Sequence, residues 1–349
     1  MARPRTLTAR ELNRAVLARQ LLLERAGLPI PRALERVGGI QAQYAPSMYL
    51  GLWSRLRDFE RGALTRALER RTVVQATLMR STIHLVSAAD FWPFADGVRE
   101  PRRAWWQRAA TDRPPDDAMA AAAETLRAAL AGGPLRRTEI EALVGKAAAR
   151  GAGMWLDLVR APPSGTWERR RADLFALAHG WVVEPSGAVA ERGRAGVELL
   201  VRRYLAAFGP ATRKDVATWA GIPVAELAPA LAALRLRRFA SEDGDELVDL
   251  PRAPLPPADT PAPVRFLPTW DATLLVHARR AAILPEEHRS RIFHTKIPQS
   301  VPTFLVDGSV AGTWRYDGTT IDIEPFHRLD RAATRALREE AARLAAFHA

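Results

Sequence analysis

"VVQATLMRSTIHLV", residues 73–86, decides how this chain folds. Two runs rich in β-branched residues, VVQATLM and STIHLV, meet at Arg80 and Ser81, the pattern of a β-hairpin. Three helical patterns precede it. The first, TLTARELNRAVLARQLLLE, opens at Thr8 with Glu11 three residues on, a capping box, and spaces Leu12, Val16, Leu17 and Leu21 along one face. The second, LPIPRALERVGG, is opened by Pro31 and ended by Gly38 and Gly39. The third takes Ser47 as its cap and carries Tyr49, Leu52, Trp53 and Leu56 on one side. Three helices and a two-stranded wing make the pattern of a winged helix.

That pattern recurs along the chain. DDAMAAAAETLRAALAGGPLRRTEIEALVG reads as helix, Gly-Gly-Pro turn, helix. AGVELLVRRYLAAFGPATRKDVATWAGIPVAELAPALAAL reads as three helices separated by Gly-Pro and Gly-Ile-Pro turns. LRRFASEDGDELVDL follows as a further wing, turning at Asp243 and Gly244. PRAPLPPADTPAPVR is a proline-rich linker. Beyond it lie the strand-like runs VRFLP, TLLVH, PTFLVDGSVAGTWRY (turning at Asp307 and Gly308) and TTIDIEPF, then an amphipathic terminal helix. The expected class is therefore α+β, with three tandem winged-helix units over residues 1–100, 101–195 and 196–252. A C-terminal β-rich unit closed by a helix occupies 264–349.

Composition narrows the partners. The 349 residues carry a formal net charge of +12, a surface suited to polyanions. Among the 51 cations only Lys146, Lys214 and Lys296 are lysines, and arginine suits bidentate phosphate and base contacts. Cysteine is absent, which excludes disulfides, iron–sulfur clusters and thiol nucleophiles. No apolar run approaches the roughly 18 residues of a membrane span. The basic start MARPRTLTAR has no apolar core behind it, so no secretory signal is read. A cytoplasmic, monomeric protein that binds double-stranded DNA is expected, without cofactor or metal.

Between the second and third helices stands GGIQAQYAPSMYLGLWSRL, with Gln41 and Gln43 one residue apart. In an extended segment the two amides point the same way, whereas in a helix they would diverge by about 200°. Each amide offers two donors and an acceptor, enough to hold a water or contact a base or sugar. The alternative is that both satisfy backbone groups at helix ends. Thr82 and His84 share a strand face with Arg80 at the preceding turn; they face a site, the DNA backbone or the fold's own hydrogen bonds. Asp271, His277, Arg279 and Arg280 cluster in TWDATLLVHARR, where Asp271 either serves catalysis or pairs with an arginine. Arg169, Arg170 and Arg171 are candidate phosphate contacts or an ordinary solvated run, and Trp105–Trp106 a candidate wedge or plain core.

GGIQAQYAPSMYLGLWSRL resembles the catalytic region of the AlkZ family of bacterial DNA glycosylases. LMRSTIHLVSAADF, PPSGTWERRRADL, FLPTWDATLLVHARR and LVDGSVAGTWR, which follow it in order, also resemble that family. The resemblance implies tandem winged helices and a monofunctional glycosylase for bulky N7-alkylated purines. It also implies unhooking of interstrand crosslinks and self-resistance to a genotoxin. The family's paired glutamines match Gln41 and Gln43, whereas a sister branch with broader substrates carries aspartate at the second position. The competing class is a non-enzymatic winged-helix DNA-binding protein, such as a transcription regulator.

Overall fold

The computed structural model describes residues 4–274, 278, 280–293 and 300–349. The chain opens with β1 (Thr6–Leu7), α1 (Ala9–Arg19), α2 (Ile30–Val37), β2 (Ile40–Gln41), α3 (Ala45–Arg55) and α4 (Arg61–Glu69). The hairpin β3 (Val73–Thr77) and β4 (Ile83–Ser87) follows, and then α5 (Ala88–Ala109). Next come α6 (Asp116–Leu130), β5 (Leu135–Arg136), α7 (Arg137–Trp155), β6 (Leu158–Arg160) and β7 (Leu174–Leu177). A third stretch holds α8 (Val189–Phe208), α9 (Arg213–Ala220), α10 (Val224–Ala233), β8 (Arg237–Ser241) and β9 (Glu246–Asp249). The chain ends with β10 (Arg265–Leu267), α11 (Glu286–Ile292), β11 (Thr303–Val306), β12 (Ser309–Tyr316), β13 (Ile321–Pro325) and α12 (Arg331–His348).

Local signals set many of these boundaries. The Thr8–Glu11 capping box forms as expected, and α2 ends on Gly38 at φ 78°. Ser47 is not a cap: α3 begins two residues earlier, with Pro46 in its first turn, where a missing N–H costs nothing. Turns form at Asp243–Gly244, between β8 and β9, and at Asp307–Gly308, between β11 and β12. In the expected strand TLLVH, Thr273 and Leu274 form part of a turn, and the remainder lies outside the described residues.

The β-structure is not three separate wings. β2-β4-β3-β6-β7-β5 form one six-stranded sheet, joined between the first two expected units at Ala76 and Val159. Alternate residues of β3 and β4 enter two different cores. Val74, Ala76 and Val86 pack with α5, α8, α9 and α10; Val73 and Leu85 pack with α2, α3, α4 and the C-terminal sheet. A strand buried on both faces loses its polar alternation, which is why VVQATLM reads as an unbroken apolar run. The second sheet, β1-β8-β9, takes its edge from the N-terminus, and the third runs β10-β11-β12-β13.

Helix α5 runs through Pro93 and Pro101, residues that normally break a helix. Packing against α8 offsets the lost backbone bonds. The two helices cross at Gly97 and Gly196, so closely that a Cβ on Gly196 would lie 2.2 Å from the Pro93 carbonyl oxygen. Buried ion pairs tie the units together. Arg19 of α1 grips Asp249 of β9 at 2.7 and 3.0 Å, and Arg237 adds a contact at 2.6 Å. Breaking such a pair strands a buried charge.

Gly196→Ala should destabilise the fold by about 1–3 kcal/mol, because backbone must separate from backbone. Gly153→Ala, on the helical stretch of α7 with nothing within 4 Å of the new Cβ, should be neutral or mildly stabilising. Denaturant melts of both variants test this; equal stabilities would show that the α5–α8 contact does not need its glycines.

Candidate active site

Gly38 and Gly39, both at positive φ, turn the chain out of α2 and into β2. A Cβ on Gly39 would lie 3.0 Å from Val86 Cγ1 and 3.2 Å from the Leu85 carbonyl, so β2 sits tight against β4. Ile40 pairs with Leu85 and Gln41 with His84, so Gln41 and His84 share one sheet face. The Ala42 amide extends the ladder, donating to the Ile83 carbonyl at 2.7 Å. Gln41 is buried, and its Oε1 lies 3.5 Å from Arg80 Nη2. Gln43 stands beyond the strand, exposed, and its Oε1 accepts the Ile83 amide at 3.0 Å. Both amide oxygens thus converge on residues 80–83. Gln43 satisfies a backbone donor at a strand end, not a helix end, and keeps a second carbonyl lone pair and its NH₂ donors.

Arg80 sits at φ 53° in the turn between β3 and β4, where its guanidinium donates to the Trp219 carbonyl of α9. Burial lowers its pKa to about 10, so it stays charged at neutral pH. His84 donates from Nδ1 to the Thr82 carbonyl at 3.0 Å. Burial first, and the Arg80 charge second, push His84 down to about 3, leaving a neutral imidazole. Thr82 spends its hydroxyl on the Met79 carbonyl within the same turn, at 3.1 Å. Among the described residues no carboxylate bonds any of these groups. The cluster can orient water through amides but has no base near neutral pH to take its proton.

A third glutamine supports the segment from the opposite face. Gln75 is buried on β3, its Nε2 lies 3.5 Å from the Ala42 carbonyl, and its Oε1 packs against Gly165. Its signal in the sequence is that of the one amide inside the apolar strand run VVQATLM. Gly165 begins the turn that carries the arginine triplet. Arg170 donates to the Tyr44 hydroxyl at 3.1 Å, next to Gln43, while Arg171 pairs with Asp173 at 3.1 Å and Arg169 is exposed. These three arginines, with Arg136, line a cavity of about 270 Å³.

The other candidates fall elsewhere. Asp271 is buried against Arg55 in a bidentate pair at 2.8 and 2.9 Å, with Thr273 donating its amide at 3.0 Å. Burial raises its pKa, but Arg55 and these hydrogen bonds outweigh that and hold it below the ordinary carboxylate value. It faces neither Gln41 nor solvent. Arg280 donates to the Phe208 carbonyl at 2.8 Å. His277 and Arg279 lie outside the described residues. Trp105 is half-exposed and Trp106 lines a separate cavity on the far side of the hairpin turn. Among the described residues no group of three or more His, Asp or Glu is placed to hold a metal, and no single helix is long and apolar enough to cross a membrane.

Exposed arginines at 169–171 thus stand near a segment of neutral amides. The model of the AlkZ-like DNA glycosylases matches residues 34–347, and the chain belongs to that family of DNA repair enzymes. Its structure is similar to that of the Streptomyces sahachiroi DNA glycosylase AlkZ, with a TM-score of 0.79 at 20% identity, covering 97% of this chain and 96% of that one. No curated protein sequence matches.

His84 carries a pH signature. The unfolded residue takes up a proton near 6.5 and the folded one only near 3, so the unfolded state binds more protons between those values. Stability should therefore fall as pH drops from about 6.5 toward 3, and His84→Gln should flatten that slope. Urea melts across this range decide it; an unchanged slope in the variant would mean that His84 titrates normally in the fold.

Proposed function

We propose that this glycosylase hydrolyses the N-glycosidic bond of bulky, cationic N7-alkylated purines in double-stranded DNA, including those that form interstrand crosslinks. The observation that supports this most is the pair of neutral amides, which no carboxylate bonds among the described residues. An N7-alkylated purine already carries positive charge, so its glycosidic bond is weakened and the base leaves as a neutral group. The enzyme then needs only to place water and steady an oxocarbenium-like sugar. Gln43, exposed and with a lone pair to spare, positions the attacking water. Gln41, seated behind it against Arg80, contacts the lesion sugar or the same water. Arg169, Arg170 and Arg171 take backbone phosphates beside them. The helical units act as winged-helix modules gripping the duplex as a monomer. Resistance to the cell's own genotoxin is the biological setting this chemistry suits.

Wild-type protein incubated with duplex DNA bearing N7-methylguanine or a crosslink should release free base. Gln43→Ala should slow release by about 10²- to 10⁴-fold, the span for losing one positioned proton-transfer or hydrogen-bonding group, while the melting temperature holds. Gln43→Asp should keep or widen activity, since a carboxylate orients water and offsets oxocarbenium charge. Unfolding of Gln43→Ala with normal excision by its folded fraction would reduce the amide to a backbone partner for Ile83.

Affinity for duplex DNA should fall steeply with salt, because arginines displace phosphate counterions. Neutralising Arg169 and Arg170 together should reduce the slope of log K against log salt by about two. Chelation with EDTA should leave excision unchanged. A flat salt dependence, or activity rescued by a divalent ion, would overturn this mechanism.

A further inference from the structure

The arginine run 169–171 lines one side of the cavity of about 270 Å³, and a fourth arginine, Arg136, completes it. Arg136 ends β5, the edge strand of the six-stranded sheet, where it pairs with Leu174 of β7. The Arg137 amide secures that pairing by donating to the Asp173 carbonyl at 2.8 Å. Two segments distant in sequence thus bring four exposed arginines to one opening. Arg136, Arg169 and Arg170 form no ion pair among the described residues, whereas Arg171 is offset at 3.1 Å by Asp173, the carboxylate in the lining. Glu139 takes the Arg136 backbone amide at 2.6 Å, and Glu168 is exposed; neither lines the cavity.

The turn that carries the run is locked from within. The Gly165 amide donates to the Arg169 and Arg171 carbonyls at 2.8 and 3.1 Å. The Ser164 hydroxyl donates to the Arg171 carbonyl at 2.7 Å and accepts the Asp173 and Leu174 amides at 2.8 and 3.1 Å. Trp167, 7% exposed, holds the turn to the core against Tyr49 and Phe347, with ring centres 5.6 and 5.7 Å away. An ordinary solvated basic run has no such frame. Unpaired guanidiniums on a fixed frame around a cavity suit the oxygens of a phosphate. Arg170 places that phosphate relative to the glutamines. Its Nη1 donates at 3.1 Å to the hydroxyl of Tyr44, the residue after Gln43, and its other N–H groups remain. We propose that Arg136, Arg169 and Arg170 form a discrete site for one backbone phosphate of the DNA strand, and that this phosphate fixes the strand's register against Gln43. Arg136, outside the arginine run, is thereby a positioning residue. The inference rests on the glycosylase reading, which gives Gln43 its role. Phosphate contacts orient a duplex without reading its sequence, so the site serves a lesion in any sequence context.

Methylphosphonate scanning tests this. The duplexes carry a tetrahydrofuran abasic analogue, which marks the lesion position and has no base to release, and one phosphate at a time is replaced by a neutral methylphosphonate. Arg136→Gln should weaken duplex affinity by about tenfold and lower the slope of log K against log salt by about one, with the fold retained. At one position, constant relative to the lesion, the methylphosphonate should weaken wild type by a similar factor and cost Arg136→Gln nothing further; elsewhere the two losses should multiply. Arg169→Gln supplies the same cycle if Arg136→Gln does not fold. Arg335→Gln, the same charge change on exposed α12, should show multiplying losses at every position. Multiplying losses throughout in both Arg136→Gln and Arg169→Gln would overturn the proposal. So would displacement of the duplex by inorganic phosphate at constant ionic strength with no coupled position, the mark of a free-anion site. Base release by the wild-type protein from N7-methylguanine duplex, measured on the same preparation, reports on the glycosylase reading separately: release without a coupled position sinks the phosphate site alone.

Discussion

Two residues of backbone pairing, Ile40 with Leu85 and Gln41 with His84, fix where the amides stand. Side chains alternate along a strand, so a slip of one residue would turn Gln41 into the apolar layer of α2 and α3 and push Ile40 toward Arg80. The register is held from both sides. Gly39 lets β2 approach Val86 and Leu85, and Gln43 ties its amide oxygen to the Ile83 N–H. Because β3 and β4 are buried on both faces, the pairing cannot shift without disturbing two cores. The candidate chemistry is therefore anchored in the most constrained part of the molecule, although Gln43 itself is exposed.

Charge is distributed in two distinct ways. At the surface, the Arg169–Arg171 run lies beside Tyr44 and Gln43, where it meets solvent. Inside, arginines act as structural links: Arg19 holds Asp249, Arg55 holds Asp271, and Arg203 holds Asp90 at 2.8 Å. Among the described residues, Arg80 is the formal charge that acts on His84, and the partners it bonds, Trp219 and Gln41, are neutral. A site built this way is mild. In the function proposed above, such a site orders water and hydrogen-bonds a sugar, and leaves bond breaking to a leaving group that is already activated.

Much of the local order was legible. The Thr8 capping box, the Gly38 helix end, the β3–β4 hairpin and the turns at Gly244 and Gly308 depend on residues adjacent in sequence, and each forms. The start of α3 was misplaced because Ser47 is a good cap in isolation, while Pro46 in the first turn extends the helix past it. Helix α5 is not legible in the sequence because Pro93 and Pro101 are breakers by local rules. Only packing across Gly97 and Gly196 compensates them, and Gly196 lies about a hundred residues further on. The first two winged-helix units were expected to stand apart, but β3 pairs with β6, a long-range contact that no periodicity reports.

The glutamine pair and the arginine triplet were found in sequence because their residue types and spacing match a family pattern. What separated their roles was tertiary. Gln41 went inside and Gln43 stayed out because β2 ends between them. Asp271, equally suggestive on paper, was taken by Arg55 from 216 residues away. The sequence by itself determined many of the helices, the turns, the charge and the family, since those rest on short-range propensity, composition and motif. Only the folded chain decided which polar groups face one another, because burial and hydrogen-bond partners are properties of distant segments brought together.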